Sequence, residues 1–373
     1  MNKKVNNKFY PPAFKLSKKL YWDETKIPND VEIHDGSSLT RVVRTKDDKK
    51  NIIGKVVLQS QVGQRGGEGT VYKCNIPNKV CKIYHNDRLT MFRLKKLLEM
   101  QSKKIKIKGI CYPEELLYNE KRQFCGYLMN EAKGHKLQTS VMHPMVIKDK
   151  FPNWRRKQLV DLCISILEIV EQLHKSNIII GDINANNILV ADYNKVYFID
   201  CDSFQVGPYP CPVGTEYFTP RELQGKKYSE FLRTKEHDMF AITTLFFMIL
   251  FLGKPPYSAK GGTNPAENVR KGNFPYKFGN RKGENVPEGP WKFIWSHLPR
   301  KMKAIFVDCF VDNKKPSIRD LKMALELYRA GIENLKSCGD GFKDGYNFSN
   351  ELLPTQNKKV PDEIAKKYKN LNK

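Results

Sequence analysis

Apolar and polar positions follow three different rhythms along this chain. From residue 56 short apolar runs appear at strand length: Val56-Val57-Leu58, then Val71-Tyr72 behind a cluster of glycines, then Val80-Cys81-Lys82-Ile83-Tyr84. Runs of this length, bounded by Gly, Asn and Pro, predict strands. The period then changes. Over 87–101, Leu89, Phe92, Leu94, Leu97 and Leu98 recur at helical spacing among Arg and Lys, which predicts an amphipathic helix. Two more strands are expected over 110–118 and 124–129, whereas 135–152 shows no clear pattern. A second helix is predicted over 154–175, with Leu159, Leu162, Ile166, Ile169, Val170 and Leu173 on one stripe. Two short apolar strands, 188–190 and 196–199, follow it, and 239–252 reads as a buried helix.

Composition narrows the class. With 373 residues, 40% of them hydrophobic, the chain can bury a large core divided into two domains or lobes. The longest apolar run, 241–252, falls short of the roughly 18 residues of a membrane span and is broken by Thr243 and Thr244, so no membrane role is expected. The N-terminus carries lysines but no apolar signal core. Nine cysteines, an odd number with no C-x-x-C pair, argue for reduced thiols in a cytoplasmic protein and against a zinc ribbon or disulfide framework. A net charge of +25 invites nucleic acid. Its lysines and arginines are dispersed rather than striped along one helix, so a solvated basic surface is the preferred reading, and acidic protein partners fit it equally. Residues 1–55 are expected to be an extension packing through Phe9, Tyr10, Phe14, Tyr21 and Trp22, with a disordered arm as the alternative. Residues 336–373 read as a basic tail or docking element, with a short helix over 362–371.

The chemistry concentrates in residues 174–204, HKSNIIIGDINANNILVADYNKVYFIDCDSF, around which the chain is organised. Asp182 and Asp200 each close an apolar run, and Asn187 lies five residues after Asp182. Singly, such residues are turn formers that bond their own backbone. Together, alternating with two apolar strands, they form the set that phosphoryl transfer needs: one carboxylate for the nucleophile's proton, and an Asn plus a second carboxylate for Mg²⁺ on nucleotide phosphates. Upstream, Gly63, Gly66, Gly67 and Gly69 make a glycine-rich turn between two strands, where backbone N–H groups can approach phosphates free of Cβ atoms. Lys82, eleven residues after Val71, places one charge in an apolar strand; its bland alternative is a surface lysine.

The spacing D-x-x-x-x-N followed by I-D, the glycine-rich turn ending in Val71, and V-C-K at Lys82 resemble the protein-kinase superfamily. The resemblance covers roughly residues 56–335. It implies an α+β, bilobal kinase-like fold, with a small β-rich N-lobe carrying one αC helix and a larger, mainly helical C-lobe. The expected division is 1–55 extension, 56–133 N-lobe, 134–335 C-lobe and 336–373 tail. It also implies ATP and Mg²⁺ as cofactors. By the same resemblance, Gly63, Gly66, Gly67, Gly69, Val71 and Lys82 would line the phosphate site, and Met129 would be the gatekeeper. The backbone of Asn130 and Ala132 would read adenine, Asn187 and Asp200 would hold metal, Asp182 would be the catalytic carboxylate, and Glu99 would orient Lys82. Val213-Gly214-Thr215 through Glu222 resembles the end of the activation segment. Asp238 resembles the aspartate that anchors the catalytic loop, and Gly253-Lys254-Pro255-Pro256-Tyr257 resembles G-x-P-P-F. These last features separate the chain from small-molecule kinases of the aminoglycoside type. More narrowly, GGEGTVY, VCKIYH, GDINANNILV, FIDCDSFQV and WKFIWSHLPR look like a bacterial group of eukaryotic-like Ser/Thr kinases. Members often accompany a von Willebrand A protein and a PP2C-type phosphatase in tellurite-resistance-associated triads.

The departures shape the expectation. Ile180-Gly181 replaces His-Arg before Asp182, so activity should not depend on phosphorylating the activation loop. Asn184 stands where a lysine is usual, and Lys226 or Lys227 could take over its load. Asp200-Cys201-Asp202 replaces Asp-Phe-Gly, which predicts a metal loop locked in one state. Asp202 reads as a solvated turn carboxylate, with a metal contact as the alternative. Lys315 and a displaced Glu222 put a buried pair at the end of the activation segment in doubt. The function expected is an active protein Ser/Thr kinase in bacterial signalling or stress response, acting on protein substrates and on itself. A nucleotide-binding pseudokinase scaffold and a basic nucleic-acid-binding protein are the alternatives.

Overall fold

A computed structural model describes residues 20–44, 50–259, 265–279, 285–333 and 348–357. Phe9, Tyr10, Phe14 and the expected helix over 362–371 lie outside the described residues. The strands are β1 (Ser38–Arg44), β2 (Lys50–Gln61), β3 (Gly69–Cys74), β4 (Lys79–Tyr84), β5 (Glu115–Tyr118), β6 (Phe124–Asn130), β7 (His135–Lys136), β8 (Ile178–Ile179), β9 (Ile188–Asp192), β10 (Lys195–Phe198) and β11 (Gln205–Val206). The helices are α1 (Met91–Ser102), α2 (Pro144–Lys150), α3 (Arg156–Lys175), α4 (Lys235–Leu250), α5 (Pro265–Lys271), α6 (Trp291–Ser296), α7 (Arg300–Phe310) and α8 (Ile318–Ile332).

The N-terminal part is β-rich and the C-terminal part helical. The first six strands close into a barrel in the order β1-β2-β3-β4-β6-β5, because β1 pairs with β5 through Thr40–Tyr118 and Val42–Leu116. This corrects the expected boundary at residue 55. Residues 38–44 and 50–55 are barrel wall, not a cover laid on it. Closure satisfies both backbone edges of the sheet, and the alternation of side chains then sorts residues into two compartments. Cys81 and Ile83 of β4 point into the barrel with Leu39, Val56, Leu58, Cys125 and Leu128, whereas Val80 and Tyr84 face outward into the larger core. Lys82 shares that outward face by the same two-residue period. The eight described cysteines are free and buried.

Helix α1 begins at Met91 rather than 87. Thr90 caps it by accepting from the N–H of Arg93, and 86–88 form a separate 3-10 turn. Residues 20–27 run along this helix: Trp22 packs on Phe92 at 4.2 Å between ring centres, and Phe92 N–H donates to Asp23 O at 2.9 Å. In the helical part α4 is buried from His237 to Leu250, as its all-round apolar character requires. The larger core cluster runs from the outer barrel face through α3 and α4 to α8. Arg156, fully buried at the start of α3, donates to the carbonyls of Glu351 and Leu352, so residues 348–352 dock on the helical part. No described helix is long and apolar enough to cross a membrane.

Candidate active site

Strand β4 carries Lys82, which is buried, and the turn after β10 brings Asp200 against it. Lys82 Nζ lies 3.1 Å from Asp200 Oδ1, joining positions 118 residues apart. Asp200 adopts a left-handed backbone, φ +55°, which opens the 3-10 turn Cys201–Ser203 and which aspartate tolerates better than most residues. Ser203 N–H and hydroxyl both bond Asp200 O, so the turn closes on itself. Beneath it, Cys201 is buried in the core.

Asp182 sits at the heart of a second cluster. Its Oδ2 accepts from the amides of Asn184 at 3.0 Å and Asn187 at 3.2 Å, and its Oδ1 from the hydroxyl of Thr215 at 3.0 Å. The loop is held from below: Asp238, 1% exposed near the start of α4, accepts from Ile180 N–H and Gly181 N–H at 2.8 Å each and from His174 at 3.0 Å. Asn184 thus helps orient Asp182 where a lysine would have projected a charge. Lys227, which pairs with Glu230, is exposed, as is Lys226, and neither is hydrogen-bonded to this cluster.

The glycine-rich turn connects β2 to β3. Gly63 has φ +67°, and a Cβ on Gly69 would lie 2.3 Å from Ile83 O, so both positions demand glycine. Gly66 N–H bonds Gly69 O at 3.1 Å, and Gly67 faces open space. Val71 pairs in register with Lys82. Met129 is buried on β6, and Ala132 packs against the core. The Asn130 side chain turns out to Lys79 and Glu114.

One expected pairing fails. Glu99 lies 3.6 Å from Lys103 on its own helix, beside Gly207, and is not a partner of Lys82. The reason is helical phase. The face that α1 turns inward carries Arg93 and Lys96, and Lys96 donates to the carbonyls of Ser203 and Pro210. Burial pushes the Lys96 ammonium down to about 8. The second carboxylate on Lys82 is Asp202, at 2.9 Å, with a side chain only 3% exposed. It is neither a solvated turn residue nor available to a metal, since Tyr127 OH (2.9 Å), Tyr84 OH (2.7 Å) and Arg93 (3.5 Å) fill its remaining acceptor sites. Burial opposes the charges in this group, but the attraction of Lys82 and Arg93 holds the Asp202 carboxyl well below its ordinary range. Asp202 and Asp200 in turn hold the Lys82 ammonium above its own value, against burial. Arg93 also grips Glu68 of the glycine-rich turn through both guanidinium nitrogens, at 3.0 and 2.9 Å.

Sequence reasoning missed Glu68, Tyr84, Arg93, Tyr127 and the role of Asp202. The strand period put Tyr84 on the face of Lys82, which was the one legible signal. Elsewhere the doubted pair is formed: Glu222 accepts from Lys315 at 2.6 Å and from Asn313 at 3.0 Å. Among the described residues no group of three or more His, Cys, Asp or Glu gathers as a metal cage. Asp200 is half-exposed, and the bond from Ile199 N–H to Asn187 O ties its turn to the Asn187 loop, so these are the two oxygen-bearing residues that could hold a metal taking its other ligands from water and phosphate.

No family model matches the chain. It is 27% identical over 303 residues to "Protein kinase YegI" of Escherichia coli O157:H7, covering 76% of this chain and 46% of that protein. The YegI protein of Escherichia coli K12 is likewise 27% identical, over 292 residues, covering 74% and 44%. The chain therefore spans about half the length of the curated relatives it matches. In the order of its motifs, in the Lys82–Asp200 and Asp182–Asn187 contacts, and over about three quarters of its length, the chain is similar to bacterial proteins named as protein kinases.

Proposed function

We propose that the protein is an ATP- and Mg²⁺-dependent serine/threonine protein kinase with a bilobal kinase-like fold, whose N-lobe sheet is closed into a barrel by β1. The observation that carries this reading is the Lys82–Asp200 contact at 3.1 Å, on a turn whose neighbour Ile199 N–H bonds Asn187 O at 2.9 Å, while Asn187 is one of three donors that fix the Asp182 carboxylate. In this reading Lys82 meets the nucleotide phosphates, and the backbone at Asn130 and Ala132 meets adenine. Asn187 and Asp200 would hold Mg²⁺, which when bound offsets phosphate charge. Asp182 orients the hydroxyl of a serine or threonine and accepts its proton. The hydroxyl oxygen bonds to the γ-phosphorus as the bond to the ADP oxygen breaks. Catalysis of this kind is positioning plus charge stabilisation.

The segment after Asp200 is held without a phosphate. Arg233 donates to Val213 O at 2.7 Å and exchanges backbone–amide bonds with Gln205, and this supports activity that needs no loop phosphorylation. The pseudokinase reading draws on one observation, the asparagine amide at Asn184 where a cation is usual. Incubating the protein with Mg²⁺ and γ-labelled ATP, then mapping phosphosites by mass spectrometry, separates the two. We expect transfer by the wild type and a loss of about 10²-fold or more in Asp182→Ala and Asp200→Ala. Unchanged transfer in both variants overturns the kinase reading, and nucleotide binding without any transfer supports the scaffold.

A further inference from the structure

We propose that Asp202 is the positioning residue for Lys82, so that the phosphate-facing lysine is set by the turn that also carries Asp200 and not by helix α1. The inference rests on the nucleotide site proposed above.

Three cations converge on the turn at 200–203: Lys82 from β4, and Arg93 and Lys96 from α1. Helix α1 thus offers this cluster two positive charges and no carboxylate. A buried ammonium facing two like charges needs a compensating anion, or the group would be forced to lose its proton. Asp202 supplies it. The remaining hydrogen bonds of that carboxylate say what it is for. Two of its donors, Tyr84 and Tyr127, stand on the barrel strands β4 and β6, so Asp202 is fastened to the same wall that carries Lys82. Charge-assisted bonds of this type are the strong ones, and four donors leave Asp202 no route to a solvated rotamer.

The role left to α1 differs accordingly. Its Arg93 lies 3.5 Å from Asp202 but grips Glu68 bidentately, so the helix holds the glycine-rich turn. Helix α1 also bonds the turn itself, through Arg93 to Asp202 and Lys96 to Ser203 O, so it supports the glycine-rich turn and the turn on Lys82 through cations, while the carboxylate on Lys82 comes from Asp202.

The test compares ATP and adenosine binding by titration calorimetry, with transfer assayed alongside. Lys82 can act only on phosphates, so Asp202→Asn should cost ATP about tenfold or more in affinity, while adenosine stays within about twofold. Transfer should fall further than ATP affinity. Glu99→Gln should stay within about twofold on every measure. If Asp202→Asn fails to fold, the Tyr84→Phe/Tyr127→Phe double variant loosens the same carboxylate without touching Lys82, and it should lose ATP affinity about threefold to tenfold with adenosine unaffected. An ATP-over-adenosine preference unchanged in these variants, or one abolished by Glu99→Gln, overturns the inference. A wild-type protein that prefers ATP to adenosine but transfers nothing overturns the kinase reading alone. One with no such preference overturns both.

Discussion

Gly181 shows how much a single missing methyl can decide. Its φ is +79°, and a Cβ there would meet Arg233 Nη1 at 2.6 Å and Cys211 Cβ at 2.6 Å. The absent side chain makes room for the arginine that holds the 205–215 segment, directly beside Asp182. Gly181→Ala therefore combines a left-handed alanine with overpacking. We expect a loss of about 2–4 kcal/mol in denaturant unfolding, with reduced transfer, whereas Gly67→Ala, facing open space, stays within about 0.5 kcal/mol. Composition alone could not separate these glycines, because what each faces depends on residues 30 or more positions away. The same scale explains Glu222. Lys315 and Asn313 each satisfy one of its oxygens, dividing between two side chains what an arginine fork does with one.

Among the elements, α4 was the most legible, since a helix apolar on every side can only be buried. Its N-terminus carries chemistry that the pattern did not announce. His237 accepts from Thr234 N–H through Nδ1 at 3.0 Å, which requires a ring lone pair. Burial pushes this imidazole down to about 4. Between its ordinary value of 6.5 and that lowered one, the unfolded chain binds a proton that the folded chain refuses. Stability is thus fully present above the ordinary value and falls as pH falls through the window. Thermodynamic stability should drop by about 2 kcal/mol from about pH 7 to about pH 5, and His237→Gln should flatten that slope; an equal slope in the variant would assign it to other groups. Helix α1 was legible as a helix, but which of its charged residues faces inward was not. Arg93, Lys96 and Glu99 are three residues apart in turn, and only packing against β4 and the turn at 200–203 chose among them.

Across the whole molecule, the N-terminal segment joins the two halves. Tyr21 N–H bonds Pro208 O at 2.9 Å, Tyr21 stacks edge-on with Tyr209, and Trp22 lies on Phe92 of α1. One short strap therefore spans the helix and the segment that follows the site. Trp22→Ala should cost about 2 kcal/mol of stability, less than a fully buried aromatic, and should lower transfer by loosening α1. Hydrogen exchange confined to α1 and residues 205–210 is the expected signature, while exchange spread evenly over the chain would argue against a strap.

By itself the sequence determined where several of the elements lie and which residues are candidates for the chemistry, because periodicity and motif spacing are local properties of a chain. It placed α3, α4 and β4, and it singled out Lys82, Asp182, Asn187 and Asp200 together. What it could not determine was who meets whom. The closure of the barrel by β1, the exchange of Glu99 for Asp202 beside Lys82, and the grip of Arg93 on Glu68 each join residues from separate elements. Such pairings are settled by packing and by the balance of buried charge, and both exist only once the chain has folded.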